Sequence, residues 1–235
     1  PKEEPFLILP QMETESARKA GYSYSIVGYL DTENPWAALE REMKKRAQKV
    51  ERMAIEKSHM NVERYEEIQN RFPGVSIVGA EEKLQEMRVI KDEEELRRME
   101  KAGELADYAI EVGVQAIREG ITELELVAIV EYELKKKGVE KMSFDTTILF
   151  GDNAANPHGS PGTRKLQRGE FVLFDLGVVY EGYCSDITRT VAFGEAKEKH
   201  VKVYNTVLKA QEAALEASRP GITCQELDQI ARQII

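Results

Sequence analysis

The chain has 235 residues, with 42 Asp and Glu against 33 Lys and Arg, a net charge of −9 and 42% hydrophobic residues. That length supports a sizeable core and one or two domains. The acidic balance argues against nucleic acid or an anionic membrane as the main partner. No apolar run approaches the roughly 20 residues that span a bilayer, and no signal peptide is visible. Cys184 and Cys224 form neither a CxxC nor a zinc spacing, which fits reduced residues in a cytoplasmic protein. The first residue is Pro1, so the natural N-terminus is expected to lie outside the chain.

The first part reads as a small α/β unit. PFLILP (5–10) is a short strand, and a short helix is expected from Glu13 to Ala20. Asn34 caps a helix running from Pro35, at the first helical position, to Gln48. RMAIE (52–56) is a strand, 62–71 a helix and VSIVG (75–79) another strand. His59 is a lone histidine between elements and reads as a surface residue. The charged run 81–100 marks a domain boundary, giving expected domains over 1–86 and 87–235.

Asp92 and Glu95 form a capping-box start for a long amphipathic helix, with Leu96, Met99, Gly103, Ala106, Ile110, Gly113 and Ile117 expected on its buried stripe. Residues 120–129 (GITELELVAI) then recur as 221–230 (GITCQELDQI) at a constant offset of 101. Each Thr is a predicted N-cap, with a Glu three residues on, and a long helix precedes both copies. An internal duplication is the simplest account. In the first copy the motif helix (about 123–137) leads through Gly138 to a strand over 143–150 and a glycine-rich loop, 151–170. The second copy stops inside its helix, so a matching strand, loop and hairpin are expected to follow beyond Ile235.

The loop carries His158 between Asn156-Pro157 and Ser160-Pro161-Gly162. It lacks the Gly-Lys-Ser/Thr ending of a phosphate loop. A loop histidine is either merely exposed or a proton donor and acceptor near neutral pH. After it comes FVLFDLGVVYEGYCSDITRT (171–190), an apolar strand interrupted by Asp175, with Asp186 across a turn. A buried carboxylate must be paired, protonated or metal-bound. Pairing with Arg189 or capping of a turn is one reading; oxygen ligation of a hard cation is the other. A turn centred on Glu181-Gly182 makes paired positions sum to 363. Asp175 then faces Thr188 and Gly177 faces Asp186, so the two aspartates are diagonal neighbours on one face. Either a two-residue or a four-residue loop keeps that register. Gly177 opposite Asp186 is expected to leave room for a bulky occupant.

NPHGSP followed by FDLGVVYEGYCSDITRT resembles the pita-bread metallopeptidases: prolidase, aminopeptidase P and, more distantly, methionine aminopeptidase and creatinase. The resemblance implies an α/β (α+β) chain, with a partial creatinase/prolidase-type N-terminal domain before the first part of a pseudo-two-fold pita-bread domain. It makes Asp175 and Asp186 metal ligands and His158 a residue that contacts substrate and moves protons. The family's ligand histidine and two glutamates are expected beyond Ile235, so this chain alone is expected to be inactive. Two divalent ions are implied: manganese by the carboxylate-rich ligands, with cobalt or zinc as alternatives. The implied activity is Xaa-Pro dipeptide hydrolysis on small proline peptides, by a homodimer. The alternatives are aminopeptidase P or a catalytically inactive pita-bread binding module.

Overall fold

A computed structural model describes residues 4–46 and 49–235. The chain forms two compact units, residues 1–90 and 91–235. In the first, β1 (Phe6–Pro10), α1 (Thr14–Lys19), β2 (Ser25–Tyr29) and α2 (Pro35–Arg46) precede β3 (Arg52–Ile55), α3 (Val62–Arg71), β4 (Ser76–Gly79) and α4 (Glu81–Val89). β1 pairs with β2 and β3 with β4, both parallel, as helical crossovers require. β2 has no counterpart in the sequence reading. Asn34 Oδ1 accepts the N–H groups of Trp36 and Ala37 at 2.8 and 3.4 Å, starting α2 where expected. The expected end of that helix, at Gln48, lies outside the described residues. Ile55, Ile68, Phe72 and Val75 form the unit's buried core.

The second unit begins with α5 (Glu93–Ala116) and α6 (Glu123–Lys136). Six strands follow: β5 (Lys141–Met142), β6 (Thr147–Phe150), β7 (Phe171–Leu176), β8 (Val178–Tyr180), β9 (Tyr183–Cys184) and β10 (Ile187–Ala192). The helices α7 (Glu198–Ala217) and α8 (Cys224–Arg232) complete it. The strands form two antiparallel three-stranded sheets, in orders β10-β7-β6 and β5-β8-β9. Along β7, burial alternates: Val172, Phe174 and Leu176 are buried, while Phe171, Leu173 and Asp175 are half-buried. The buried set packs in one cluster with Ala102, Leu105, Ala106 and Ala109 of α5 and with Leu126, Val130 and Leu134 of α6. Burying each such Leu, Val or Phe contributes about 1.5–3 kcal/mol. Gly113 lets the helix approach: a Cβ there would lie 2.4 Å from Phe174 Cε1.

Two expectations need correction. The buried stripe of α5 is Ala102, Leu105, Ala106, Ala109 and Gly113, whereas Leu96 and Met99 are 53% and 37% exposed. The expected Ala106 and Gly113 do lie on that stripe, with Ile110 and Ile117 packed against the same core, so only the N-terminal Leu96 and Met99 depart from it. The strand expected over 143–150 starts only at Thr147. Ser143 leaves that ladder: its N–H donates to the Gly177 carbonyl at 2.9 Å and its hydroxyl to the Ser185 carbonyl at 2.8 Å.

The recurrence of the capping motif is visible bond by bond. Thr122 and Thr223 both cap with full capping boxes, at φ/ψ of −87°/159° and −85°/152°. Each Thr N–H donates to the Glu carboxylate three residues on, at 2.7 and 2.8 Å. Each Glu N–H donates back to the Thr hydroxyl, at 3.1 and 3.2 Å. Gly120 and Gly221 both sit at positive φ, +77° and +94°. The connections themselves match, with Ile121 N–H to Arg118 O at 3.3 Å and Ile222 N–H to Arg219 O at 3.2 Å. What differs is burial. α6 buries Leu126, Val130 and Leu134, while α8 buries none of its residues.

Candidate active site

The hairpin that carries both aspartates turns on two residues. Tyr180 pairs with Tyr183, and Glu181 and Gly182 between them have φ of +45° and +87°. Two positive φ values in a two-residue loop are the type I′ pattern, whose twist matches the strands. Glu181 is a costly residue for that conformation, and Gly182 an easy one. The turn is held against α5: Arg98 Nε lies 3.2 Å from Glu181 Oε2, and the Tyr183 hydroxyl donates to Glu95 Oε1 at 2.7 Å.

That turn carries one register through the hairpin. Val179 pairs with Cys184, Leu176 with Ile187 and Asp175 with Thr188. Asp175 is half-buried on β7, and the Thr188 hydroxyl donates to its Oδ1 at 3.0 Å. Thr188 and Asp175 therefore share a face. Asp186 is exposed, two residues before Thr188 and opposite Gly177 by the same register. Arg189 does not pair with either aspartate; its guanidinium donates to the Thr188 carbonyl at 2.9 Å.

Gly177 does not leave space, contrary to expectation. A Cβ there would lie 1.9 Å from the Ser185 carbonyl oxygen and 2.3 Å from Ser143 Oγ. The strand breaks between β7 and β8 at this glycine because the opposite backbone folds onto it. Ser185 then bonds back to Val178 through its N–H (2.9 Å) and accepts the Val178 N–H on its hydroxyl (3.1 Å). Glycine serves here as the contact point of a kink that delivers Asp186.

His158 lies on the loop between β6 and β7 and is exposed; its N–H donates to Asn156 Oδ1 at 3.1 Å. The next residue, Gly159, is pressed against Leu149: a Cβ there would lie 2.8 Å from Leu149 Cδ1. Leu149 pairs with Leu173, two residues from Asp175 and on its face. The loop thus touches the sheet face that bears Asp175. Among the described residues, no three His, Cys, Asp or Glu side chains converge as a metal site. The chain brings two carboxylates to one hairpin and the histidine loop to the face of Asp175.

One residue of this region had no place in the sequence reading. Glu123, the first residue of α6, is completely buried. Its Oε1 accepts the Phe150 N–H at 2.8 Å and Asn153 Nδ2 at 2.9 Å. Its Oε2 accepts the Gly162 N–H at 2.9 Å and Asn153 Nδ2 at 3.1 Å. Such donors, with the N-terminal end of a helix, replace the water a buried carboxylate loses. The available signal was the duplication itself, because Cys224 stands at the equivalent position.

An αα hairpin laid on an antiparallel hairpin sheet that presents two aspartates, with the capped helix motif recurring after the sheet at a fixed offset, is the pattern of a pita-bread fold. Sequence and structure comparisons agree. The profile of metallopeptidase family M24 matches residues 97–235, and that of the creatinase/prolidase N-terminal domain matches residues 1–90. The chain belongs to metallopeptidase family M24. It is 50% identical over 234 residues to the Bacillus subtilis protein named "Putative dipeptidase YkvY", covering 100% of this chain and 64% of that one. An X-Pro aminopeptidase from Thermotoga maritima MSB8 superposes with a TM-score of 0.90 at 31% identity, covering 100% of this chain and 65% of that one. Prolidase from Pyrococcus furiosus does so at 0.87 and 35%, covering 99% and 66%. The chain thus spans about 64% of the length of the curated relatives it matches.

Proposed function

We propose that the full-length protein is a metal-dependent Xaa-Pro dipeptidase, with Asp175 and Asp186 as metal ligands and His158 as the residue that handles substrate protons. The observation that carries this reading is the hairpin register. It sets two carboxylates on one short segment, and the hydrogen bond that Asp175 receives comes from a neutral hydroxyl rather than a cation. Carboxylate oxygens of this kind suit hard divalent ions such as manganese. Bound ions would supply a water of lowered pKa and polarise the scissile carbonyl.

The chain's own residues have separate tasks. Thr188 orients the Asp175 carboxylate through its hydroxyl. The kink at Gly177 sets where Asp186 emerges. His158, exposed on its loop, hydrogen-bonds substrate and passes a proton as the intermediate forms and collapses. In this reading residues 1–86 are the N-terminal domain and 87–235 the first part of the catalytic domain. The resemblance calls for one histidine and two glutamates as further ligands, to be sought in the full-length protein. The relatives named for X-Pro aminopeptidase and prolidase activity support proline specificity.

The test is hydrolysis by the manganese-loaded full-length protein of Ala-Pro, Ala-Ala and Ala-Pro-Ala. Preferred cleavage of Ala-Pro supports the dipeptidase. Preferred cleavage of Ala-Pro-Ala makes it an aminopeptidase. Manganese binding without cleavage of any of them leaves a binding module.

A further inference from the structure

We propose that Glu123 is a positioning residue for His158, holding the histidine loop in its working conformation from the buried N-terminus of α6. This inference rests on the proposed function of His158. The loop leaves the sheet at Phe150 and passes back beside the start of α6 at Gly162, before β7 begins at Phe171, and the N–H groups of Phe150 and Gly162 donate to the two oxygens of the same carboxylate. Glu123 therefore closes the loop at its base. The backbone reinforces that closure, with the Leu124 N–H donating to the Gly162 carbonyl and the Glu123 N–H to the Arg164 carbonyl, both at 3.2 Å.

From the carboxylate a short chain of hydrogen bonds leads to the histidine. Asn153 Nδ2 donates to both oxygens of Glu123. The Asn153 carbonyl accepts the Asn156 N–H at 3.0 Å. Asn156 then accepts on both sides of His158's own peptide: its Oδ1 takes the His158 N–H at 3.1 Å and its carbonyl takes the Gly159 N–H at 3.0 Å. Each hydrogen bond on this path has an identified donor and acceptor, and the covalent frames of Asn153 and Asn156 join them.

Helix capping does not explain the residue. Thr122 and Glu125 complete the capping box without it. The second copy of the motif builds the same box with an exposed Cys224 in the corresponding place. A fully buried carboxylate is costly to keep. Its partners all lie in the loop or at its ends, and that is where its effect is exerted.

A double-mutant cycle on the manganese-loaded full-length protein tests this, with Ala-Pro as substrate. Glu123→Gln keeps the shape, but its amide nitrogen must confront at least one of the N–H donors. The expected result is a roughly 10–100-fold lower kcat with metal content unchanged, and almost no further loss when Glu123→Gln is added to His158→Ala. Amide exchange at His158 and Gly159 should also quicken in Glu123→Gln. Equal losses in both backgrounds, or unchanged exchange, would overturn the positioning role. If Glu123→Gln does not fold, Asn156→Ala cuts the last link at an exposed residue, and the same two readouts decide. Wild-type turnover by His158→Ala would instead bring down the function proposed for the histidine, and this inference with it.

Discussion

Tyr183 and Glu95 are 88 positions apart in sequence, and the phenol of one donates to the carboxylate of the other at 2.7 Å. The same carboxylate accepts the Asp92 N–H at 2.7 Å and so closes the capping box of α5. One side chain thus starts the long helix and ties the hairpin turn to it. The hydrogen bond from Tyr183, followed by that from the Asp92 backbone, holds Glu95 below the ordinary glutamate value of 4.5. The same bond raises Tyr183 above its ordinary 10.0.

Linkage gives these shifts a sign. Because Glu95 is depressed in the folded state, its contribution is complete above pH 4.5 and is lost as the pH falls through the lower folded value. Because Tyr183 is raised, its contribution is complete below pH 10.0 and is lost as the pH rises through the higher folded value. Tyr183→Phe should therefore lower stability at neutral pH and reduce both losses. Urea unfolding of the two proteins across pH would show their difference narrowing at each extreme. A constant gap at all pH values would rule the linkage out.

Gly177→Ala should destabilise the chain by about 1–3 kcal/mol, the usual cost of overpacking, because its Cβ meets backbone that cannot rotate away. Gly103→Ala provides the contrast. It lies in α5 with nothing within 4 Å of a Cβ, so the better helix former should stabilise by about 0.8–1 kcal/mol. Chemical denaturation of both variants checks the opposite signs.

In the full-length protein, His158→Ala should leave manganese content near normal and lower turnover by about 10²–10⁴-fold, as loss of a general acid or base does. Asp186→Ala should instead release metal. Metal analysis beside turnover separates the two roles. Loss of metal from His158→Ala would make the histidine a ligand.

Thr122→Ala and Thr223→Ala each remove one cap and should cost about 0.5–2 kcal/mol. The cost should be larger at Thr122, because α6 buries Leu126, Val130 and Leu134 while α8 buries no residue. Thermal melts of the single variants test the order. A greater loss at Thr223 would reverse this account of which copy bears on the core.

The hairpin was legible because a Glu-Gly turn flanked by β-prone residues allows few registers, and the pairing of Asp175 with Thr188 follows by counting. The capping boxes were legible because Thr-x-x-Glu specifies its own hydrogen bonds. The use of Gly177 was not, because a missing side chain signals closeness or emptiness equally well. Here Ser185, eight residues on, decides for closeness. Most of the α5 face was legible, because Ala106 and Gly113 mark the close packing on Phe174, but periodicity alone extended the stripe to Leu96 and Met99, which are exposed. Glu123 was hidden by its position. A glutamate in the first turn of a helix suits the dipole, and its partners, Phe150, Asn153 and Gly162, lie 27 to 39 residues away.

The two-residue turn at Glu181 and Gly182 also bears on the order in which the molecule assembles. Closing so short a loop costs little entropy, and a hairpin forms in about 1–10 µs. Asp175 and Asp186 are therefore brought onto one hairpin early, while helices remote in sequence are still searching for the sheet. Any repulsion between these two like charges would belong to that first event. A divalent cation able to relieve it should hasten folding as well as stabilise the folded state, and stopped-flow refolding with and without manganese would show it. An unchanged refolding rate would confine the ion's influence to the finished structure. In that sense the hairpin would be a template on which the metal helps the rest of the chain to arrive.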